Sequence, residues 1–182
     1  MGTAEVVDLL ERIDRALRAD GRAIAAAHGL VPAQLDALRY LTRCNRWSDT
    51  PAAVAEFLDT TPGTASQTVT ALERKGLVHK VADPTDRRRW HCVPTDAGRA
   101  LVAATRGAQP SLAPEVADAL RAGLTDLLRS IQRSRAGRSF GTCATCAHLR
   151  RDDAGTWCGL THERLTEDDT ARVCREHSPR PD

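Results

Sequence analysis

Apolar residues return every three or four positions through the first third of the chain, with polar residues filling the gaps. Val6, Leu9, Leu10, Ile13, Leu17 and Ile24 share one side of a 3.6-residue wheel, which predicts one long helix from about Ala4 to His28, interrupted only by Gly21 and stopped by Gly29. Pro32 opens a second helix, striped by Leu35, Leu38 and Leu41 and ending near Cys44 and the polar loop Asn45 to Asp49. Thr50-Pro51, a hydroxyl cap followed by proline in the first turn, starts a third helix that buries Val54, Phe57 and Leu58; Thr61-Pro62 repeats the signal for a fourth, which runs to Lys75 and stops at Gly76. The period then falls from 3.6 to 2. Residues 77–81 and 88–93 read as two strands around the turn Asp83-Pro84-Thr85-Asp86, a hairpin with a cationic tip, with Trp90 and Cys92 on the packed face and Arg89 and His91 on the other. Pro94 ends the second strand early, and Thr95 caps a fifth helix through Ala97, Leu101, Val102 and Ala104. A sixth follows Pro114 with Val116, Leu120, Leu124, Leu127, Leu128 and Ile131.

This pattern sets the fold class: mostly α with a small β-wing. Composition agrees, since 41% of the 182 residues are hydrophobic but only 3% aromatic, so Leu, Val and Ala must fill the core and close helix packing is expected. The chain divides at a change of composition into residues 1–137, helical with a hairpin, and 138–182, a small Cys-rich appendage. No stretch approaches the roughly 18 apolar residues of a membrane span, and the first residues carry acids early with no long apolar run of a secretory leader; a soluble cytoplasmic protein is expected. Nucleophile-elbow, P-loop, G-x-G-x-x-G and H-E-x-x-H patterns are lacking, so an enzyme is not expected.

The net charge of +2 says little until it is divided. Residues 1–138 carry 20 Lys and Arg against 16 Asp and Glu, and residues 139–182 carry 6 against 8. Between Glu73 and Arg99 the excess is local, with Arg74, Lys75, Lys80, Arg87, Arg88, Arg89 and Arg99 facing four acids. Such an excess suits a phosphate backbone, a solvated charged face being the usual alternative. The fourth helix turns Ala65, Val69 and Leu72 inward, while Gly63, Ser66, Gln67, Thr70 and Arg74 follow at three- and four-residue steps on its other side. Small hydroxyls, an amide and a guanidinium reach base edges and phosphates without obstruction, so helices three and four read as a helix-turn-helix and the hairpin as a wing suited to a narrow minor groove. A merely polar solvated face is the competing reading.

This order of elements resembles the MarR family of winged helix-turn-helix transcription regulators over roughly residues 5–135. VAEFL at 54–58 is similar to that family's helix before the turn, TPGTASQTVTALERKGLV at 61–78 to its recognition helix, and DPTDRRRWHCVPTDAG at 83–98 to its wing and exit. The resemblance implies a homodimer, paired through the first, fifth and sixth helices, that binds a pseudo-palindromic operator in double-stranded DNA, more often as repressor than activator. Gly63, Thr64, Ser66, Gln67, Thr70 and Arg74 then belong to the DNA-facing helix, and Asp86, Arg87, Arg88 and Arg89 to the wing, which Asp86 shapes and Arg88 tips. It also implies tuning by a small-molecule effector or by cysteine oxidation, although Cys44 and Cys92 are expected to be inert in packed surroundings. Pro94 and Val31 depart from the family's usual leucine and hydroxyl cap without removing a DNA-facing group. A winged-helix protein-interaction module is the rival function.

The appendage carries the remaining chemistry. Cys143-x2-Cys146-x11-Cys158-x15-Cys174 can place four sulfurs around one soft metal centre with no open position, a structural or sensory arrangement. Zinc is favoured and a [4Fe–4S] cluster, which would make the tail a redox or metal sensor, is the alternative. Disulfides and a thioredoxin-like use of Cys143 and Cys146 are weaker readings. His148, His162 and His177 stand near enough in sequence to replace a cysteine. Leu149, Trp157, Leu160, Leu165 and Val173 supply a miniature core for a metal to close. Thr166 to Asp169 forms a capping box, predicting a short helix from Glu167 to about Glu176 that carries Cys174 inward.

Overall fold

The computed structural model describes residues 2–84, 86, 88–105, 112–134, 138–153 and 155–180. The elements run α1 (Thr3–Ala27), α2 (Pro32–Leu41), α3 (Pro51–Phe57), α4 (Pro62–Arg74), β1 (Val78–Ala82), β2 (Trp90–Pro94), α5 (Asp96–Thr105), α6 (Pro114–Ser134), one turn of 3-10 helix at Cys143–Thr145, β3 (Leu149–Asp152), β4 (Gly155–Cys158) and α7 (Glu167–Ala171). Among the described residues the protein is mostly helical, with two separate antiparallel two-stranded sheets. Among the described residues, no helix is long and apolar enough to cross a membrane.

Local chemistry fixes the winged unit. Thr50 Oγ1 accepts from Ala53 N at 3.2 Å and Thr61 Oγ1 from Thr64 N at 3.1 Å, each with proline in the first turn, so α3 and α4 start sharply with a short turn between them. At the far end of α4 the chain reverses through Gly76, whose φ of 68° lies in the left-handed region, and Leu77 N returns to Leu72 O at 3.0 Å. The wing follows, β1 on β2, in register from Val78 opposite Pro94 to Ala82 opposite Trp90. Thr95 caps α5 by accepting from Gly98 N at 3.1 Å. Gly98 lies so close under the Leu77 carbonyl that any Cβ there would collide with it, which clamps α5 to the entrance of β1.

Leu35, Leu38 and Tyr40 of α2, Val54 of α3, Val69 and Leu72 of α4, Val78 of β1 and Cys92 of β2 are fully buried together, forming the main core. Tyr40 stacks on Phe57 with centroids 4.4 Å apart, and Phe140, from the start of the Cys-rich segment, meets Phe57 edge-on at 5.3 Å. Two helices stay mostly outside this core. Val6, Leu9, Ile13 and Leu17 on α1, and Val116, Leu120, Leu124 and Leu128 on α6, are exposed.

Several expectations change. Pro94 does not end β2 early; it is buried as the last paired residue of the strand, where a missing N–H is tolerated. Trp90 is exposed and not packed, because it pairs with Ala82 at the outer end of the hairpin, beyond the core. The helix expected to reach Glu176 ends at Ala171. Arg172 turns to extended backbone (φ −84°, ψ 151°), and Val173 gives its N–H to Arg43 O and its carbonyl to Asn45 N, both at 2.9 Å. Cys174 therefore arrives on an extended segment. The β3–β4 hairpin was not expected at all.

Candidate nucleic-acid interface and four-cysteine site

On α4, Ala65, Val69 and Leu72 are completely buried, which seats the helix and turns Gly63, Thr64, Ser66, Gln67 and Arg74 to the solvent. Two of the hydroxyls on this face have partners within the chain. Thr64 Oγ1 meets Thr61 Oγ1 at 2.9 Å, and half-buried Thr70 accepts from Lys80 Nζ at 3.0 Å. Lys80 is also 3.1 Å from Glu73, so Thr70 helps tie β1 to α4. Ser66, Gln67 and Arg74 thus form the most open polar row of the helix.

In the wing, Asp86 builds the turn: its N–H goes to Asp83 Oδ1 and its Oδ1 accepts from Arg88 N, both at 3.0 Å. Arg89 N donates to Asp86 O at 2.9 Å and Asp83 N to Arg89 O at 3.0 Å. Arg88 is exposed. Arg89 points back, donating from its guanidinium to Trp47 O at 2.8 Å, so it braces the wing's base and is not at its tip. Arg87 lies outside the described residues. His91 is held between two carboxylates, 2.6 Å from Asp49 and 3.1 Å from Asp83. Burial pulls its pKa down, but the hydrogen bonds to Asp49 and Asp83 outweigh that and leave it above the ordinary histidine value. Burial raises Asp49, partly offset by the bond from His91.

All six cysteines are free thiols. Cys44 and Cys92 are buried in the main core, where desolvation pushes both thiols up, Cys92 to about 12. Both are poor nucleophiles. The other four come together. Cys143 and Cys146 stand at either end of the 3-10 turn, Cys158 ends β4, and Cys174 follows α7; all four line one cavity of about 30 Å³ with Leu149, Leu165, Asn45 and Trp47. Burial around it makes a second, smaller core of Cys143, Leu149 and Leu165, with Trp47, Cys158 and Cys174 against it. Of the other residues expected here, Leu160 lines the cavity yet remains exposed, and Val173 packs on the main core. Cys143 and Cys174 share a hydrogen bond that raises the first thiol and lowers the second. Among the described residues, no three His, Cys, Asp or Glu side chains already stand as a cage for an ion. Metal–sulfur bonds of about 2.3 Å would require the thiols to draw inward.

The three histidines separate. His148 lines the cavity, His162 stacks on Trp157 with centroids 6.4 Å apart, and His177 meets Ser139 Oγ at 2.5 Å and Thr145 Oγ1 at 3.0 Å. Gly141 lies directly against the His177 ring, with no room for a Cβ.

Sequence reasoning placed the loop between α2 and α3 but missed its role. Asn45 and Ser48 are buried there, and Tyr40 donates to Ser48 O at 2.8 Å. Neither residue type signals burial, and the tail partners that meet them lie 98 and 127 residues further along the chain.

These elements define a winged helix-turn-helix protein. The model of the MarR family matches residues 28–89, the span from the end of α1 through the wing. The crystal structure of S. aureus MepR in DNA-binding conformation is similar at 26% identity, covering 70% of this chain and 98% of that one with a TM-score of 0.56. The S. aureus MepR–DNA complex is similar at 25% identity, over 71% of this chain and 98% of that one, TM-score 0.52. CouR from Rhodococcus jostii RHA1 bound to p-coumaroyl-CoA shares the fold at 20% identity, over 67% and 90% of the two chains, TM-score 0.53. No curated protein matches. The winged-helix part of the chain is therefore similar to MarR-family regulators in sequence over residues 28–89 and in fold over about 70% of its length.

Proposed function

We propose that this regulator is a cytoplasmic, non-enzymatic DNA-binding repressor that works as a homodimer on a pseudo-palindromic operator and carries one metal centre per subunit in its tail. The observation that carries the DNA reading is the open row of Ser66, Gln67 and Arg74 on a helix seated by three buried residues, beside a wing that exposes Arg88. The likeness to a MepR–DNA complex supports the same reading. The exposed apolar stripes of α1 and α6 support the dimer, since a second copy would remove both from water. Replacing Arg88 with Ala is expected to weaken DNA binding about equally on all sequences and to lower the salt slope by about one. Mobility-shift titrations at several salt concentrations check it; an unchanged slope removes the wing contact.

The metal reading rests on four sulfurs from three separate segments converging on one apolar cavity. Its volume suits one or two water-sized bodies, which favours a single zinc over a cluster of four irons and four sulfides. A brown protein with absorption near ~400 nm would reverse that choice. A small-molecule effector is also proposed, supported by a cleft of about 750 Å³ lined by Glu56, Phe57, Leu128, Gln132 and Arg138.

A further inference from the structure

The loop from Arg43 to Asp49 has a sulfur side and a wing side. On the sulfur side, Asn45 Nδ2 points at Cys143 Sγ, 4.0 Å away, and Asn45 N donates to Val173 O at 2.9 Å, one residue before Cys174. Arg175 N, one residue after Cys174, donates to Ser48 Oγ at 2.9 Å. Trp47 Nε1 donates to Glu163 at 3.1 Å. On the wing side, Trp47 O accepts from Arg89 at 2.8 Å, Asp49 O accepts from Cys92 N at 2.6 Å, and the Asp49 carboxylate holds His91. The two sides meet in one amide. Asn45 Oδ1 accepts from Trp47 N at 3.2 Å while its Nδ2 faces the sulfur.

We infer that this loop is a relay through which metal binding at the four cysteines sets the order of the wing and hence the affinity for DNA. The inference rests on the metal reading above. Metal converts Cys143 into a thiolate that stays anionic, a stronger acceptor for the Asn45 amide, and it fixes the segments on both sides of Cys174 that hold Asn45 and Ser48. Asn45 and Ser48 are 1% and 0% exposed, so neither can exchange a lost partner for bulk water, and the loop must shift as a unit when its sulfur side lets go. The carbonyls of Trp47 and Asp49 shift with it, and they anchor Arg89 and Cys92 at the base of the wing. A loose wing must be ordered on binding, which weakens association. Loaded protein is therefore the tighter DNA binder.

The test uses the full chain, zinc-loaded, stripped with a chelator, and reloaded. Its probes are zinc content, amide hydrogen exchange over residues 78–94, and affinity for a labelled mixed-sequence DNA duplex, sufficient because wing contacts to phosphate are independent of sequence. Zinc loading is expected to slow exchange in the wing and tighten binding about tenfold, within the usual range for coupled sites. Asn45→Asp keeps the acceptor for Trp47 N and replaces the donor to sulfur; it should retain zinc while losing most of both effects. If Asn45→Asp does not fold, Arg89→Ala cuts the wing side alone and should retain zinc with a wing already loose when loaded. Wild-type protein that holds zinc and shows the same wing exchange loaded and stripped overturns the relay and leaves the metal reading standing. Protein that retains no zinc overturns both.

Discussion

The winged-helix region and the Cys-rich tail close their interiors by different physics. In the first, Leu35, Leu38, Tyr40, Val54, Val69 and Leu72 pack with no exposed surface, and hydrocarbon burial alone supplies the driving force at about 25 cal/mol per Å². In the second, the buried apolar side chains are Leu149 and Leu165, grouped with Cys143 around a cavity that four thiols line. Two leucines cannot offset the chain entropy of some forty residues at ~1–2 kcal/mol each. The tail instead borrows order from its neighbour through Phe140, Val173, Asn45 and the double clasp of Arg138 and Arg175 on Glu56, and on our proposal takes the remainder from a metal. Glu56 responds to that clasp: the Arg175 hydrogen bond, with Arg138 adding its charge, holds its carboxyl below the ordinary value.

The sharpest way to break this contrast is to remove the metal. Structural zinc contributes on the order of 10 kcal/mol to the folding of small modules, so chelation should abolish exchange protection across residues 142–174 while helical circular dichroism from the winged-helix region persists. Equal loss in both regions would show that they fold as one unit. Next in size, Leu72→Ala opens a cavity beneath α4 and should cost about 3 kcal/mol in urea unfolding, with zinc content of the native protein unchanged. The smallest effect concerns their junction. His91, facing Asp49 and Asp83 with the Arg89 charge near Asp49, has a folded pKa above its ordinary value; its contribution is complete below about pH 6.5 and is lost as pH rises through the folded value. Wing exchange, corrected for intrinsic rates, should accelerate over that window, and His91→Gln should remove the dependence.

How much of this was legible in the sequence follows the same division. Helices with a 3.6 period, two Thr-Pro starts and the Gly76 stop announced the winged unit because each signal is local, and α3, α4 and the hairpin lie within a residue or two of where those signals put them. The inward set Ala65, Val69 and Leu72 was readable for the same reason. In the tail, the capping box at Thr166 was right, yet α7 runs only to Ala171 because the backbone of Val173 is taken by residues 43 and 45, a competition no local pattern reports. Arg89 and Thr70 looked like contacts to DNA by type and spacing. Each also has a partner in the chain, Arg89 the Trp47 carbonyl and Thr70 the Lys80 amine, and only three-dimensional placement reveals that. The convergence of the four cysteines was suggested by spacing, but nothing local to residues 45–49 marked that polar loop as the surface that receives them.

That loop also orders events in time. Asn45 lies 98 residues before Cys143, and Ser48 lies 127 residues before Arg175, so every residue of α3, α4 and the wing is synthesised before the partners that latch the loop exist. At roughly 5–20 residues per second, a nascent winged helix spends on the order of ten seconds with its loop unlatched. During that interval Asn45 Nδ2 faces water in place of Cys143, and a segment made 98 residues later completes the fold of the earlier one.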